Sequence, residues 1–199
     1  MEIIKPNIDR KEVIDFYLES DNAKKDTTTP SDYDSLDWSN PNTLDEWLRK
    51  NGYKPGVLLG YKKYALVKLS KQDLEDTAIV DHIFPGKSQR LGDLLVGTPE
   101  FQDRKPNTQS SETWFDQLSR GKIPENCVLI LRPALFSEKA KYYAEDGSGR
   151  TICYLRVIEE KGTDSELCAY LGSEPDQLSA FMQACPELLK QGSISVDPE

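Results

Sequence analysis

The chain is poor in the side chains that most often hold metals. It has one histidine, His82, among 199 residues, and four cysteines set far apart at positions 127, 153, 168 and 185. A single histidine excludes a histidine-rich zinc site, and the lack of any Cys-x-x-Cys pair excludes zinc ribbons and dithiol redox motifs. Each cysteine has apolar neighbours, such as Val128-Leu129-Ile130 after Cys127 and Ile152 before Cys153. They read as small buried hydrophobes in a reducing compartment. No haem, flavin or zinc is expected. Long apolar runs are missing too. None approaches the roughly 18 residues that a membrane span requires, and Met1-Glu2-Ile3-Ile4-Lys5-Pro6 has no apolar core behind a basic flank. These absences predict a cytoplasmic protein with no membrane partner. Cations are also scarce: 25 Lys and Arg face 34 Asp and Glu, for a net charge of −9. Non-specific binding to a nucleic-acid backbone is therefore disfavoured, while a local basic pocket for a small anion is still allowed.

What is present suits a globular protein. Hydrophobic residues make up 37% and charged residues 30% of the chain, and its length is enough for one substantial core. Ile8 to Leu18 carry apolar residues at helical spacing. Ser20 to Asn42 are rich in Ser, Thr, Asp, Asn and Pro and read as an exposed loop. Thr43 and Glu46 fit a capping box for a helix ending near Gly52. These pieces suggest a helical N-terminal extension over 1–52 and an α/β domain over 53–199.

In the second part, strands are expected at 56–60, 64–69, 78–84, 127–131, 142–144 and 167–171. Asp73 to Asp76 reads as a turn or short helix. Helices are expected from Ser110 or Ser111 to Gly121, from Thr151 to Glu160, and from a Ser173 cap through Leu189. Asp81-His82 reads as a polar strand end rather than an acid–base pair, because neighbours in a strand face opposite ways. Trp38, Trp47 and Trp114 are not interleaved with basic residues and read as anchors rather than base-stacking platforms.

The segment Asp146-Gly147-Ser148-Gly149-Arg150 stands between a strand and a helix. Its two glycines allow unusual backbone angles and close approach of a ligand. The helix after it aims free amides and the positive end of its dipole at the loop. Arg150 brings a fork of donors suited to phosphate. Glu145 and Asp146 are a candidate carboxylate pair for magnesium, which needs few protein ligands when phosphate oxygens complete its shell. Arg132, just past an apolar strand, is either a surface residue or a further cation reaching the loop.

The order of these elements resembles the ParB/sulfiredoxin-like superfamily. The residues that carry the resemblance are the helix Trp114 to Leu118, Ile123-Pro124 before Cys127 to Leu131, Glu145-Asp146-Gly147-Ser148-Gly149-Arg150, the strand Leu167 to Leu171, and Leu66-Val67-Lys68-Leu69 upstream. The resemblance implies a mixed sheet with surrounding helices. It also implies phosphate contacts from Gly147, Ser148, Gly149, Arg150 and the following Thr151. Asp146, with Glu145 beside it, would hold the loop, a metal-bound water or a substrate hydroxyl. Sulfiredoxins carry a reacting cysteine where Ser148 stands, so sulfinic-acid reduction is not expected. Chromosome-partitioning members carry Gly-Glu-Arg-Arg, and other members have His or Gln where Gly149 stands. Two readings follow. One is a nucleotide-binding protein, phosphoryl-transferring or NTP-hydrolysing, with magnesium and a nucleoside di- or triphosphate. The other is a non-catalytic protein-interaction module retaining the fold, whose partner is another protein.

Overall fold

The computed structural model describes residues 1–53, 60–79, 88–94, 97–98, 120, 128–134, 139–162 and 167–175. Within them lie six strands and four helices: β1 (Glu2–Asp9), α1 (Arg10–Lys25), α2 (Pro41–Lys50), β2 (Tyr61–Lys68), α3 (Lys71–Glu75), β3 (Thr77–Ala78), β4 (Val128–Pro133), β5 (Tyr142–Asp146), α4 (Ser148–Lys161) and β6 (Cys168–Pro175). The strands form one mixed sheet in the order β1-β2-β6-β4-β5-β3. β6 runs parallel to β4, β3 runs parallel to β5, and the other pairings are antiparallel. The chain is thus mixed α/β, as expected.

β4 lies inside the sheet, and its sequence explains why. Leu129, Ile130 and Leu131 are all buried, which suits a strand covered on both faces. Leu129 and Leu131 join the main core with Ala65, Val67, Ala144, Ala169 and the α4 residues Ile152, Leu155 and Ile158. Ile130 belongs to a cluster on the other face with Ile8, Val13, Tyr61 and Tyr64, where α1 packs. A third cluster joins α1 to α2 through Ile14, Leu18, Tyr33, Leu44, Trp47, Leu48 and Tyr53. No described helix is long and apolar enough to cross a membrane.

Several boundaries differ from the sequence reading. Glu2–Asp9, which carry no strand-like alternation, pair with β2 as the end strand among the described residues, so α1 starts at Arg10 rather than Ile8 and runs on to Lys25. Asn40, not Thr43, caps α2; its side chain accepts from the amides of Asn42 and Thr43, with Pro41 opening the first turn. Proline fits there because its missing N–H has no partner to lose. Ser70 and Asp73 form a full capping box on α3. α4 starts at Ser148, earlier than Thr151. Ser173 caps no helix, because β6 continues through Pro175. The expected elements at 56–60, 110–121 and beyond 175, the pair Asp81-His82 and Trp114 lie outside the described residues. So does most of the strand expected at 78–84.

Candidate functional site

The glycine loop stands where β5 turns into α4. Asp146 ends the strand, and Gly147 takes φ 93° and ψ 18° as the residue before the helix. That left-handed geometry costs glycine little and strains other residues. Space is limited as well: a Cβ on Gly147 would lie 2.5 Å from Leu129 Cδ2. Gly149 is the opposite case. It is exposed, and an added Cβ would meet nothing within 4 Å. Gly147, the residue before α4, has no side chain with which to cap the helix, and the first-turn residues Ser148 and Gly149 are half-buried and exposed.

Arg150 does not point outward. It is 1% exposed. Its guanidinium donates to the Val128 carbonyl at the start of β4 and to the Asp146 carboxylate. It thereby ties the first turn of α4 to two strands. Thr151 is buried beside it, and its Oγ1 donates to the Gly147 carbonyl at 2.9 Å. The Thr151 amide reaches the same carbonyl at 2.8 Å. Arg150 thus braces the turn from within, and Thr151 fastens it through two bonds to the Gly147 carbonyl.

Glu145 is engaged elsewhere. Arg132, 9% exposed, donates through Nε to Glu145 and lies 4.6 Å from the centre of the Tyr143 ring. Tyr143 and Glu145 are two residues apart in β5 and share a face. Leu131 of β4 packs in the main core under α4, so its neighbour Arg132 projects to the face of Tyr64 and Ile130. Burial pushes the Tyr61 phenol above its usual range; Arg132 opposes this and Glu145 adds to it. Burial also raises the Tyr64 phenol, with Arg10 opposing and Glu145 adding. Glu145 and Asp146, adjacent in sequence, are thus held by different arginines, Glu145 on the α1 face and Asp146 by the α4 residue Arg150. The structure brings Asp146, Gly147, Ser148, Gly149, Arg150 and Thr151 together and draws Glu145 to Arg132 instead.

The Arg132–Glu145–Tyr143 group was the part of the site hardest to see in the sequence. The only available signal was the spacing of two in Tyr143 and Glu145, which needs the β4–β5 register to bring in Arg132. Among the described residues no three His, Cys, Asp or Glu side chains group to hold a metal ion. The donors on offer, main-chain amides at a helix start, fit phosphate oxygens.

No family model matches the chain, and neither the curated proteins nor the solved structures yield a match.

Proposed function

We propose that the protein binds the phosphates of a nucleotide on the Gly147–Gly149 turn, within a ParB/sulfiredoxin-like arrangement. The observation that carries this reading is the N-terminus of α4: preceded by a glycine that offers no capping side chain, half-buried at Ser148, exposed at Gly149, and braced by Arg150. The element order supports the fold. β4 and β5 form an antiparallel pair, the Asp-Gly-x-x-Arg turn follows β5, α4 covers the sheet, and β6 returns parallel to β4. Main-chain amides and the helix dipole supply the attraction for an anion. Arg150 acts as a positioning residue: it holds the turn open by bonding Val128 and Asp146. Magnesium, where needed, would arrive on the phosphates and find few protein ligands. Phosphoryl transfer or hydrolysis at such a turn would draw on positioning and charge neutralisation.

Gly149→Asp is the decisive variant. The new side chain has room, and an acid in the first turn of a helix favours the helix, so folding is kept while anions are repelled. Calorimetric titration with ATP, ADP, CTP and GTP, with and without magnesium, should show one nucleotide binding the parent and failing to bind Gly149→Asp. Equal binding by both would remove the turn from the site.

A specific observation also favours a second reading, a non-catalytic interaction module. Arg132 pairs with Glu145 between β4 and β5, and Arg150 pairs with Asp146 at the start of α4, as structural ion pairs would. No heat from any nucleotide, together with recovery of one stoichiometric protein partner, would establish that reading instead.

A further inference from the structure

Away from the glycine turn, one corner of the protein holds a cation against two aromatic faces. Lys11, in the first turn of α1, reaches over the segment that joins α1 to α2. Its Nζ lies 5.0 Å from the centre of the Tyr33 ring and 5.2 Å from that of Trp38. The two ring centres are 5.1 Å apart and the rings stand at 87° to one another. The ammonium therefore sits in a right-angled corner, over the electron-rich faces of both rings. Two carboxylates line it. Asp15 accepts from Nζ at 3.1 Å through each oxygen, and Asp34 lies 3.8 Å away. Tyr33 is held in place: its hydroxyl donates to Asp15, and its ring packs on Trp47 in the cluster between α1 and α2. Burial, and then Asp15, hold its phenol well above the usual range, so the ring stays neutral.

The helix gives little reason for a lysine at this place. A cation in the first turn opposes the helix dipole. Lysine before an acid is also the weaker order for a pair four residues apart, which is how Lys11 and Asp15 stand. The aromatic corner and its acids account for the position instead. We propose that this corner is a binding site for a methylated alkylammonium head, which the Lys11 ammonium fills at rest and an outside cation takes by displacing it. A primary ammonium is strongly hydrated. A methylated one has less water to shed and suits ring faces, which recognise quaternary ammonium groups. The way out for Lys11 is open. Its side chain is 42% exposed and that of Asp34 is 89% exposed, so Lys11 can swing toward solvent and keep a carboxylate partner. Trp38 is only half-buried, which leaves its side of the corner accessible. This reading does not depend on the Gly147–Gly149 turn.

The probe is choline, and the control is its uncharged isostere with carbon in place of nitrogen. Each is titrated from micromolar to tens of millimolar into the isotope-labelled full chain, and the amide signals of residues 33–38 are followed by NMR. Lys11→Ala empties the corner. Alanine suits a helix and the change removes a cation from its start, so folding is kept. Lys11→Ala should bind choline about tenfold more tightly than the parent or better, because the tethered rival is gone. Lys11→Gln, uncharged, should also bind more tightly than the parent. Adding Trp38→Leu to Lys11→Ala should lose that gain, and the isostere should move none of these signals. A folded Lys11→Ala chain that ignores choline overturns the proposal. So does a parent that binds choline as tightly as both Lys11 variants, an isostere that binds equally well, or a Trp38→Leu chain that keeps the affinity.

Discussion

Two buried charged side chains fasten the two ends of β5. Arg150 is buried and bonded to Val128 and Asp146. Replacing it by alanine leaves a cavity and a carboxylate without its partner, which costs about 3–5 kcal/mol. Urea unfolding of Arg150→Ala should show that loss, so weaker ligand binding by this variant would report the fold as much as the contact. Asp76 is the second. It is buried, and accepts from Arg90 at 2.6 Å, Lys141 at 2.7 Å and Gln72 at 3.2 Å. Burial pushes its carboxyl up, but the hydrogen bonds from Lys141, Arg90 and Gln72 outweigh it and hold the group below its usual range. A depressed folded-state value stabilises fully above the unfolded value of about 3.9 and loses that stabilisation as pH falls through the folded value. Asp76→Asn should cost about 1–3 kcal/mol near neutral pH. It should also flatten the acid limb of a plot of unfolding free energy against pH, measured from neutral pH down through the carboxylate range.

At the scale of elements, the β5–α4 turn depends on one backbone conformation. Gly147 has φ 93°, and a Cβ there would strike Leu129. Gly147→Ala should therefore destabilise by about 1–3 kcal/mol, read as a lowered urea midpoint, whereas Gly149→Asp should not. Much of this turn was legible in the sequence: two glycines after a strand and before an apolar period of three. The direction of Arg150 was not. Reading the helix from Thr151 leaves Arg150 in the loop, free to face a ligand. Starting α4 at Ser148 puts Arg150 in its first turn and rotates it under the helix toward Val128. Helix starts are set by backbone angles at the turn, which spacing does not reveal. Ser70→Ala, which removes the α3 capping box, should cost about 1 kcal/mol by the same unfolding measurement.

Across the whole molecule, residues 1–53 are built into the sheet as well as forming a cluster of their own. β1 pairs with β2, and Val13 of α1 packs with Tyr64 and Ile130. A fragment lacking residues 1–53 should expose that face, bind a hydrophobic dye and unfold without a cooperative transition, whereas a self-sufficient 54–199 domain would melt sharply. The sequence by itself determined the mixed α/β class, the apolar interior strand β4, the Asp146–Arg150 turn and the helix after it, with Ile152, Leu155 and Ile158 at spacing three. Each of these rests on local period, glycine placement or hydrophobic runs. Only the tertiary structure decided that β1 is a strand, that Glu145 turns to Arg132 while Asp146 stays with Arg150, and that Arg150 is buried. Those outcomes depend on partners far away in the chain, such as β2 for β1 and Val128 for Arg150, and local sequence carries no record of which distant residue will fill the second side of a pair.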